Sequence, residues 1–159
     1  AKRYTWGAHF LLGACLGFAP LGAWIAVRGD IRAARAVLGL ALPFWPAGFD
    51  ITYACQDTDF DRTVGLHSAP RRWGVGRALI LSRLLHAAMI LALLAVGRLL
   101  HLGLIYHLGV LGTAALLAYE HTLIRADDLS RVNRAFFTIN GYVSIFLLLA
   151  TAADLRWPL

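Results

Sequence analysis

The 159-residue sequence is 59% hydrophobic and only 15% charged, with a mean hydropathy of +0.64. Soluble domains average about 25% charged residues, so this composition excludes an ordinary soluble protein and indicates an integral membrane protein. The net charge of +6 is spread over the segments between apolar stretches, so it does not indicate a nucleic-acid partner. Two cysteines, Cys15 and Cys55, suggest neither a disulfide framework nor a zinc site.

Five apolar stretches approach or reach the length that crosses a bilayer. They show no barrel-like alternation, and the first lacks the end of a cleavable signal. We therefore expect an all-α membrane protein with about five transmembrane helices, forming a single transmembrane helical domain over residues 1–159. The predicted spans are 8–27, 33–54, 77–97, 102–119 and 135–153.

The first two predicted spans contain residues that shape membrane helices. Gly13 and Gly17 allow close helix approach in the first span. Pro43 and Pro46 interrupt the second span, either as a packing kink or as part of a cavity wall.

The second span ends in an acidic segment. At roughly 100° per residue, Asp50, Asp57 and Asp61 fall on one helical face, while Asp59 points to the opposite side. Crowded carboxylates repel one another, and a hard divalent cation such as Mg²⁺ neutralises them and can bridge to a phosphate. The alternative is a solvated acidic helix end. The deeper position of Asp50, beside apolar aromatic sequence, favours the metal site.

A basic segment follows these acids. Gly65 is a plausible end for the acidic helix, and residues 68–74 are expected to form a loop. Arg62, Arg71 and Arg72 could contact phosphate oxygens or anchor the chain at lipid headgroups.

The later spans carry isolated polar residues. Arg83 can reach the membrane interface from the third span, and Glu120 either pairs at the interface or reaches a central cavity. For Asn140, in the last span, hydrogen bonds between helices are a simpler explanation than substrate contact.

Lysine and arginine are more numerous on one side of the predicted spans, which the positive-inside rule places in the cytoplasm. That side carries Lys2, Arg3, Arg62, Arg71, Arg72, Arg77, Arg125, Arg131 and Arg134, and the other carries Arg28, Arg32, Arg35, Arg98 and Arg156. The acidic segment opens on the cytoplasmic side.

The acidic segment resembles the second aspartate-rich motif of the UbiA superfamily of intramembrane aromatic prenyltransferases. The matching residues are Asp50, Tyr53, Ala54, Asp57, Asp61, Gly65 and Ser68. The opening segment 2–6 is similar to the start of the fifth helix in the 4-hydroxybenzoate polyprenyltransferase branch. The resemblance extends through Asn140 and Gly141 and so covers nearly the whole chain.

The resemblance implies a nine-helix bundle around a lateral cavity, with two aspartate-rich motifs that hold Mg²⁺ on a polyprenyl diphosphate. An aromatic acceptor then captures the allylic cation. In this sequence the catalytic residues would be Asp57 and Asp61, and the Mg²⁺ ligands Asp57, Asp61 and Asp50. The diphosphate would contact Lys2, Arg3, Arg62 and Arg72, and the cavity would be lined by Tyr53 and Asn140.

The family's first motif, Asn-x-x-x-Asp-x-x-x-Asp, is absent from these 159 residues. The chain therefore resembles the C-terminal half of such an enzyme, with half a metal site, no activity of its own and a missing N-terminal half as its partner. The resemblance also implies a bacterial inner membrane protein with its active site facing the cytoplasm.

The acidic residues and the hydrophobicity also bear on two other functional classes. A five-helix ion-binding or transport protein would use the carboxylates as a cation path. A soluble prenyl synthase is excluded by the hydrophobicity. Within the superfamily, the acceptor could be 4-hydroxybenzoate, another phenol such as homogentisate, a naphthoate or haem. The opening segment favours 4-hydroxybenzoate and hence ubiquinone or quinone biosynthesis.

Overall fold

The computed structural model describes residues 1–29, 39 and 42–157, which form helices joined by short turns. A 3-10 turn at Cys55–Asp57 separates two α-helices, and a π-helix at Arg134–Ile139 leads directly into the last α-helix. The α-helices are α1 Ala8–Arg28, α2 Phe44–Ala54, α3 Thr58–Val64, α4 Ala69–Trp73, α5 Val75–Leu99, α6 Leu104–Leu123 and α7 Asn140–Arg156.

Among the described residues, three helical segments are long and apolar enough to cross a membrane: Ala8–Arg28, Val75–Leu99 and Arg134–Arg156. They confirm the first, third and fifth predicted spans. The fourth predicted span corresponds to α6, which is not among those three. The second predicted span lies partly outside the described residues, so the count of five spans stays a prediction. Arg32 and Arg35 also lie outside the described residues.

The helices pack in sequence order: α1 on α2, α2 on α5, α5 on α6, and α6 on α7. Glycines bring α1 close to the start of α2. A Cβ at Gly13 would lie 2.3 Å from the Pro43 carbonyl oxygen, and one at Gly17 would lie 2.5 Å from the Pro43 ring.

The two prolines of the second predicted span lie at a helix start. Pro43 occupies the cap position of α2, and Pro46 lies within its first turn. The first-turn N–H groups of a helix have no partner within that helix, so proline costs little there. Pro46 also lines a cavity described below, which supports the cavity-wall interpretation.

Polar side chains join α2 to α5 inside the bundle. The Gly48 carbonyl oxygen accepts hydrogen bonds from Ser82 Oγ at 2.8 Å and from Thr52 Oγ1 at 3.2 Å. Both hydroxyls are buried, and buried polar groups that are paired in this way hold two membrane helices in register.

Asp154 of α7 caps the start of α6 from a neighbouring helix. Its carboxylate accepts the backbone N–H of Gly103 at 2.8 Å and that of Tyr106 at 3.0 Å. A negative charge at a helix N-terminus satisfies free N–H groups and interacts favourably with the helix dipole. This buried carboxylate therefore ties the turn between α5 and α6 to the last helix.

We predict that Asp154→Ala lowers the free energy of unfolding by about 1–3 kcal/mol, because two buried N–H groups lose a charged acceptor. Thermal unfolding of the detergent-purified protein measures the loss. The matched control is Asp127→Ala, at an exposed loop position. Equal midpoints for the two variants would show that the cap contributes nothing.

Candidate functional site: an acidic helix end beside an aromatic cavity

The acidic segment is not one continuous helix. Helix α2 ends at Ala54, the 3-10 turn follows, and α3 runs from Thr58 to Val64. The hydroxyl of Thr58 donates to the Cys55 carbonyl oxygen at 2.8 Å, which competes with regular helical bonding at the break. The prediction of an uninterrupted helix is therefore wrong. The predicted end at Gly65 is confirmed, since Gly65 adopts a left-handed conformation with φ of 78°.

Asp61 is buried against the start of the chain. Only 1% of the residue is exposed, and its Oδ2 lies 3.6 Å from the Lys2 ammonium nitrogen. That oxygen accepts no hydrogen bond within the described residues. The backbone also joins the two segments, because His67 N–H donates to the Lys2 carbonyl oxygen at 2.6 Å. Lys2 therefore neutralises a buried acid at the site.

Asp50 is held by a histidine that the sequence did not single out. His9 Nδ1 lies 2.6 Å from Asp50 Oδ2, and the His9 side chain is fully buried. Its Nε2 accepts the Ala69 N–H at 3.3 Å, so in the neutral ring Nδ1 carries the proton and donates to the carboxylate. An ionisable residue in the first turn of a membrane span is the signal that could have identified His9.

The other two acids of the segment differ in exposure. Asp57, the last residue of the 3-10 turn, is half-buried. Asp59 points away, as the helical spacing predicted, with a side chain that is 96% exposed and 3.4 Å from Arg62. Arg62, predicted to bind diphosphate, therefore pairs with Asp59 at the surface.

Asp50, Asp57 and Asp61 do not gather into one set of ligands. The described residues contain no group of three histidine, cysteine, aspartate or glutamate side chains placed to hold a metal ion. The predicted stacking of three carboxylates around one ion is therefore absent from this part of the chain. A metal ion here would need further oxygen ligands from a substrate, from water or from other residues.

Residues 68–74 form a short helix instead of the predicted loop. Ser68 Oγ caps α4 by accepting the Arg71 N–H at 3.4 Å, and Pro70 lies at the helix start. Because Arg71 also donates to the Leu66 carbonyl oxygen, its guanidinium is bound to the preceding turn.

Arg72 of α4 is exposed and lies beside two indole rings that pack against each other. Its guanidinium carbon is 5.4 Å from the centre of the Trp6 ring and 5.8 Å from that of Trp73. Together with His67 and Ser68, it borders a depression of about 210 Å³ on the same side as Lys2. Arg3, by contrast, is exposed and has no hydrogen bond or ion pair within the described residues.

An aromatic cavity of about 440 Å³ lies between α1, α2 and α7. Trp45 and Phe49 form one wall, and Asn140 contributes the polar group opposite. Trp45 Nε1 donates to Asn140 Oδ1 at 2.8 Å, and Asn140 Nδ2 donates to the Phe136 carbonyl oxygen at 3.1 Å. The hydrogen bonds expected of Asn140 are therefore present, and the residue also lines the cavity.

Tyr53, also predicted to line the cavity, is not among the residues that border it. Its ring packs on that of Phe136 with centroids 4.4 Å apart, and Phe136 in turn lies 5.1 Å from Phe49. Tyr53 thus extends the aromatic wall towards the acidic turn.

Residues 1–147 match the model of the UbiA prenyltransferase family. This chain belongs to that family. A 4-hydroxybenzoate octaprenyltransferase from Enterobacter sp. (strain 638) is 31% identical over 151 residues, covering 95% of this chain and 52% of the relative. The octaprenyltransferase of the same name from Pseudomonas aeruginosa (strain LESB58) is 33% identical over 153 residues, covering 96% and 51%.

Other comparisons agree with this family membership. A 4-hydroxybenzoate solanesyltransferase from Synechocystis sp. is 39% identical over 101 residues, covering 58% of this chain and 35% of the relative. The apo structure of a UbiA homologue from Aeropyrum pernix K1 matches with a TM-score of 0.83 and 29% identity, over 98% of this chain and 58% of that one. The chain spans about half the length of the curated octaprenyltransferases that it matches.

We predict that His9→Ala lowers the free energy of unfolding by about 1–3 kcal/mol, because it leaves Asp50 and a buried N–H without a partner. The measurement is the thermal midpoint of the purified protein in detergent. His67→Ala is the control, since the His67 side chain is exposed. If His9→Ala and His67→Ala lowered the thermal midpoint by the same small amount, the contact between His9 and Asp50 would not stabilise the fold.

Proposed function

We propose that the protein catalyses the Mg²⁺-dependent transfer of a polyprenyl group from a polyprenyl diphosphate to an aromatic acceptor, 4-hydroxybenzoate, in quinone biosynthesis. The observation that carries this proposal is a buried carboxylate, Asp61, whose Oδ2 accepts no hydrogen bond within the described residues, in the acidic segment of a chain that belongs to the UbiA prenyltransferase family. The names of the relatives support the choice of donor and acceptor.

The carboxylates fit Mg²⁺ that arrives with a diphosphate. Mg²⁺ prefers oxygen ligands and is usually bound by one or two carboxylates together with substrate phosphates and water. Asp57 and Asp61 would hold the ion, and Asp50 keeps its Oδ1 outside the hydrogen bond to His9. When bound, Mg²⁺ supplies charge that stabilises the departing diphosphate.

Basic residues around the acidic turn would bind the diphosphate. The Lys2 ammonium already lies at Asp61, and the Arg72 guanidinium lies beside two indole rings. Exposed Arg3 is free to join them. Arg62, which pairs with Asp59 at the surface, is the fourth residue proposed to contact the diphosphate.

The aromatic cavity would hold the reacting carbon. When the allylic C–O bond breaks, the electron pair leaves with the diphosphate and a carbocation forms. The faces of Trp45 and Phe49 would exclude water and stabilise positive charge, and Phe136 packs against Phe49. An acceptor ring carbon then forms the new C–C bond, and that carbon loses its proton.

A second set of carboxylates would complete the metal site. One hydrogen-bond-free oxygen on Asp61 and a half-buried Asp57 are too few to hold a diphosphate with its ions. We propose that a further segment of the protein supplies the rest, which agrees with relatives about twice as long as this chain.

In the full-length protein, we expect Asp57→Asn and Asp61→Asn each to reduce prenyl transfer at least about 10²-fold, the scale of losing a transition-state stabiliser. The change keeps side-chain size but removes the charge that a hard cation needs. Transfer is measured with polyprenyl diphosphate, 4-hydroxybenzoate and Mg²⁺. Asp59→Asn, at an exposed position, is the control and should be nearly neutral. A comparable loss for Asp59→Asn would contradict the assignment.

We also propose that the acidic turn faces the cytoplasm of a bacterial inner membrane, because lysine and arginine are more numerous on that side. In the test, exposed Cys15 is first replaced by serine. A single cysteine is then placed at position 67 or at position 101, both of which are exposed. Position 101 lies beyond the C-terminal end of α5. An impermeant thiol reagent added to intact cells should label His101→Cys and spare His67→Cys. The opposite pattern would reverse the topology.

A further inference from the structure

A second cavity, of about 400 Å³, lies between α5 and α6. It shares no lining residue with the aromatic cavity. None of the acids or basic residues assigned to the transfer site borders it. Its role is therefore separate from the proposed reaction.

One end of this cavity is basic. His86 Nδ1 and His121 Nε2 lie 3.0 Å apart, and Arg83 is close enough to His121 to interact electrostatically. Within the described residues none of these three side chains forms an ion pair with a carboxylate. Glu120 does not border the cavity, and its carboxylate is fully buried in the bundle. The cavity end thus offers a positive charge and imidazole nitrogens without an internal anion.

The rest of the cavity is apolar and continues onto exposed helix faces. On α5, Ala87 and Leu91 line it and share a face with Leu84, which is exposed. On α6, Ala114 and Ala118 line it in the same way and share a face with exposed Leu111. These exposed leucines extend the apolar lining beyond the cavity, so an acyl chain held in the cavity could continue along an apolar surface.

The basic end of the cavity lies near the C-terminal end of α6. His121 is two residues from the end of α6, and the following segment carries Arg125 and Arg131. If Arg83 only extended to the membrane interface, its position in the helix would be explained. That would not explain why Arg83 shares a cavity with two histidines and with an apolar wall long enough for an acyl chain. We propose that this cavity binds one anionic phospholipid, with its phosphate at Arg83 and His121 and an acyl chain along Ala87 and Ala114.

The test uses the full-length protein, purified in detergent, stripped of lipid and titrated with phosphatidylglycerol or phosphatidylcholine in native mass spectrometry. The Arg83→Gln/His121→Gln double variant should bind the first phosphatidylglycerol about tenfold more weakly, the scale of one charge-assisted hydrogen bond. Arg77→Gln is the matched control, because Arg77 is an exposed arginine of the same helix outside the cavity. It should bind like the unaltered protein.

A second variant, Ala114→Phe, fills the apolar part while keeping every charge. It should also weaken phosphatidylglycerol binding, and phosphatidylcholine should bind more weakly than phosphatidylglycerol to the unaltered protein. Unchanged affinity in the double variant, an equal loss in Arg77→Gln, or equal affinity for the two lipids would overturn the proposal. If the double variant fails to elute as a single folded species, unchanged binding by Ala114→Phe overturns it alone.

Discussion

A carboxylate buried in an apolar helical bundle needs a partner, since its unpaired charge would cost several kcal/mol. In this protein the first nine residues supply the partners for the buried Asp61 and for the partly buried Asp50. Lys2 lies at Asp61, and His9 donates to Asp50. The chain that precedes and begins α1 is consequently part of the site, although 41 residues separate His9 from its acid.

This pairing depends on how closely α1 approaches α2. Gly13 and Gly17 lie so close to Pro43 that a Cβ at either position would clash with it. Any side chain there would therefore push the two helices apart. Displacement of α1 would carry His9 away from Asp50. The small residues of the first span therefore contribute to the chemistry indirectly, by setting the separation at which a hydrogen bond of 2.6 Å can form.

Local signals made part of this structure predictable. Apolar length identifies α1 and α5, and a glycine able to adopt positive φ identifies the end of α3 at Gly65. The start of α4 was also signalled by a serine cap followed by Pro70, although the segment was predicted to be a loop. The contact between His9 and Asp50 depends on tertiary packing and could not be predicted from spacing. The same holds for the bond between Trp45 and Asn140, which spans 95 residues.

Helix α2 is contacted by side chains from α1 on one side and from α5 on the other. From α1 comes His9, and from α5 come Ser82 and His86. Because Gly48 has no side chain, the His86 ring lies against the backbone of α2, where a Cβ would be only 2.5 Å away. The same ring bonds to His121 at the second cavity. The His86 ring thus contacts the α2 backbone two residues before Asp50 on one side and borders the second cavity on the other.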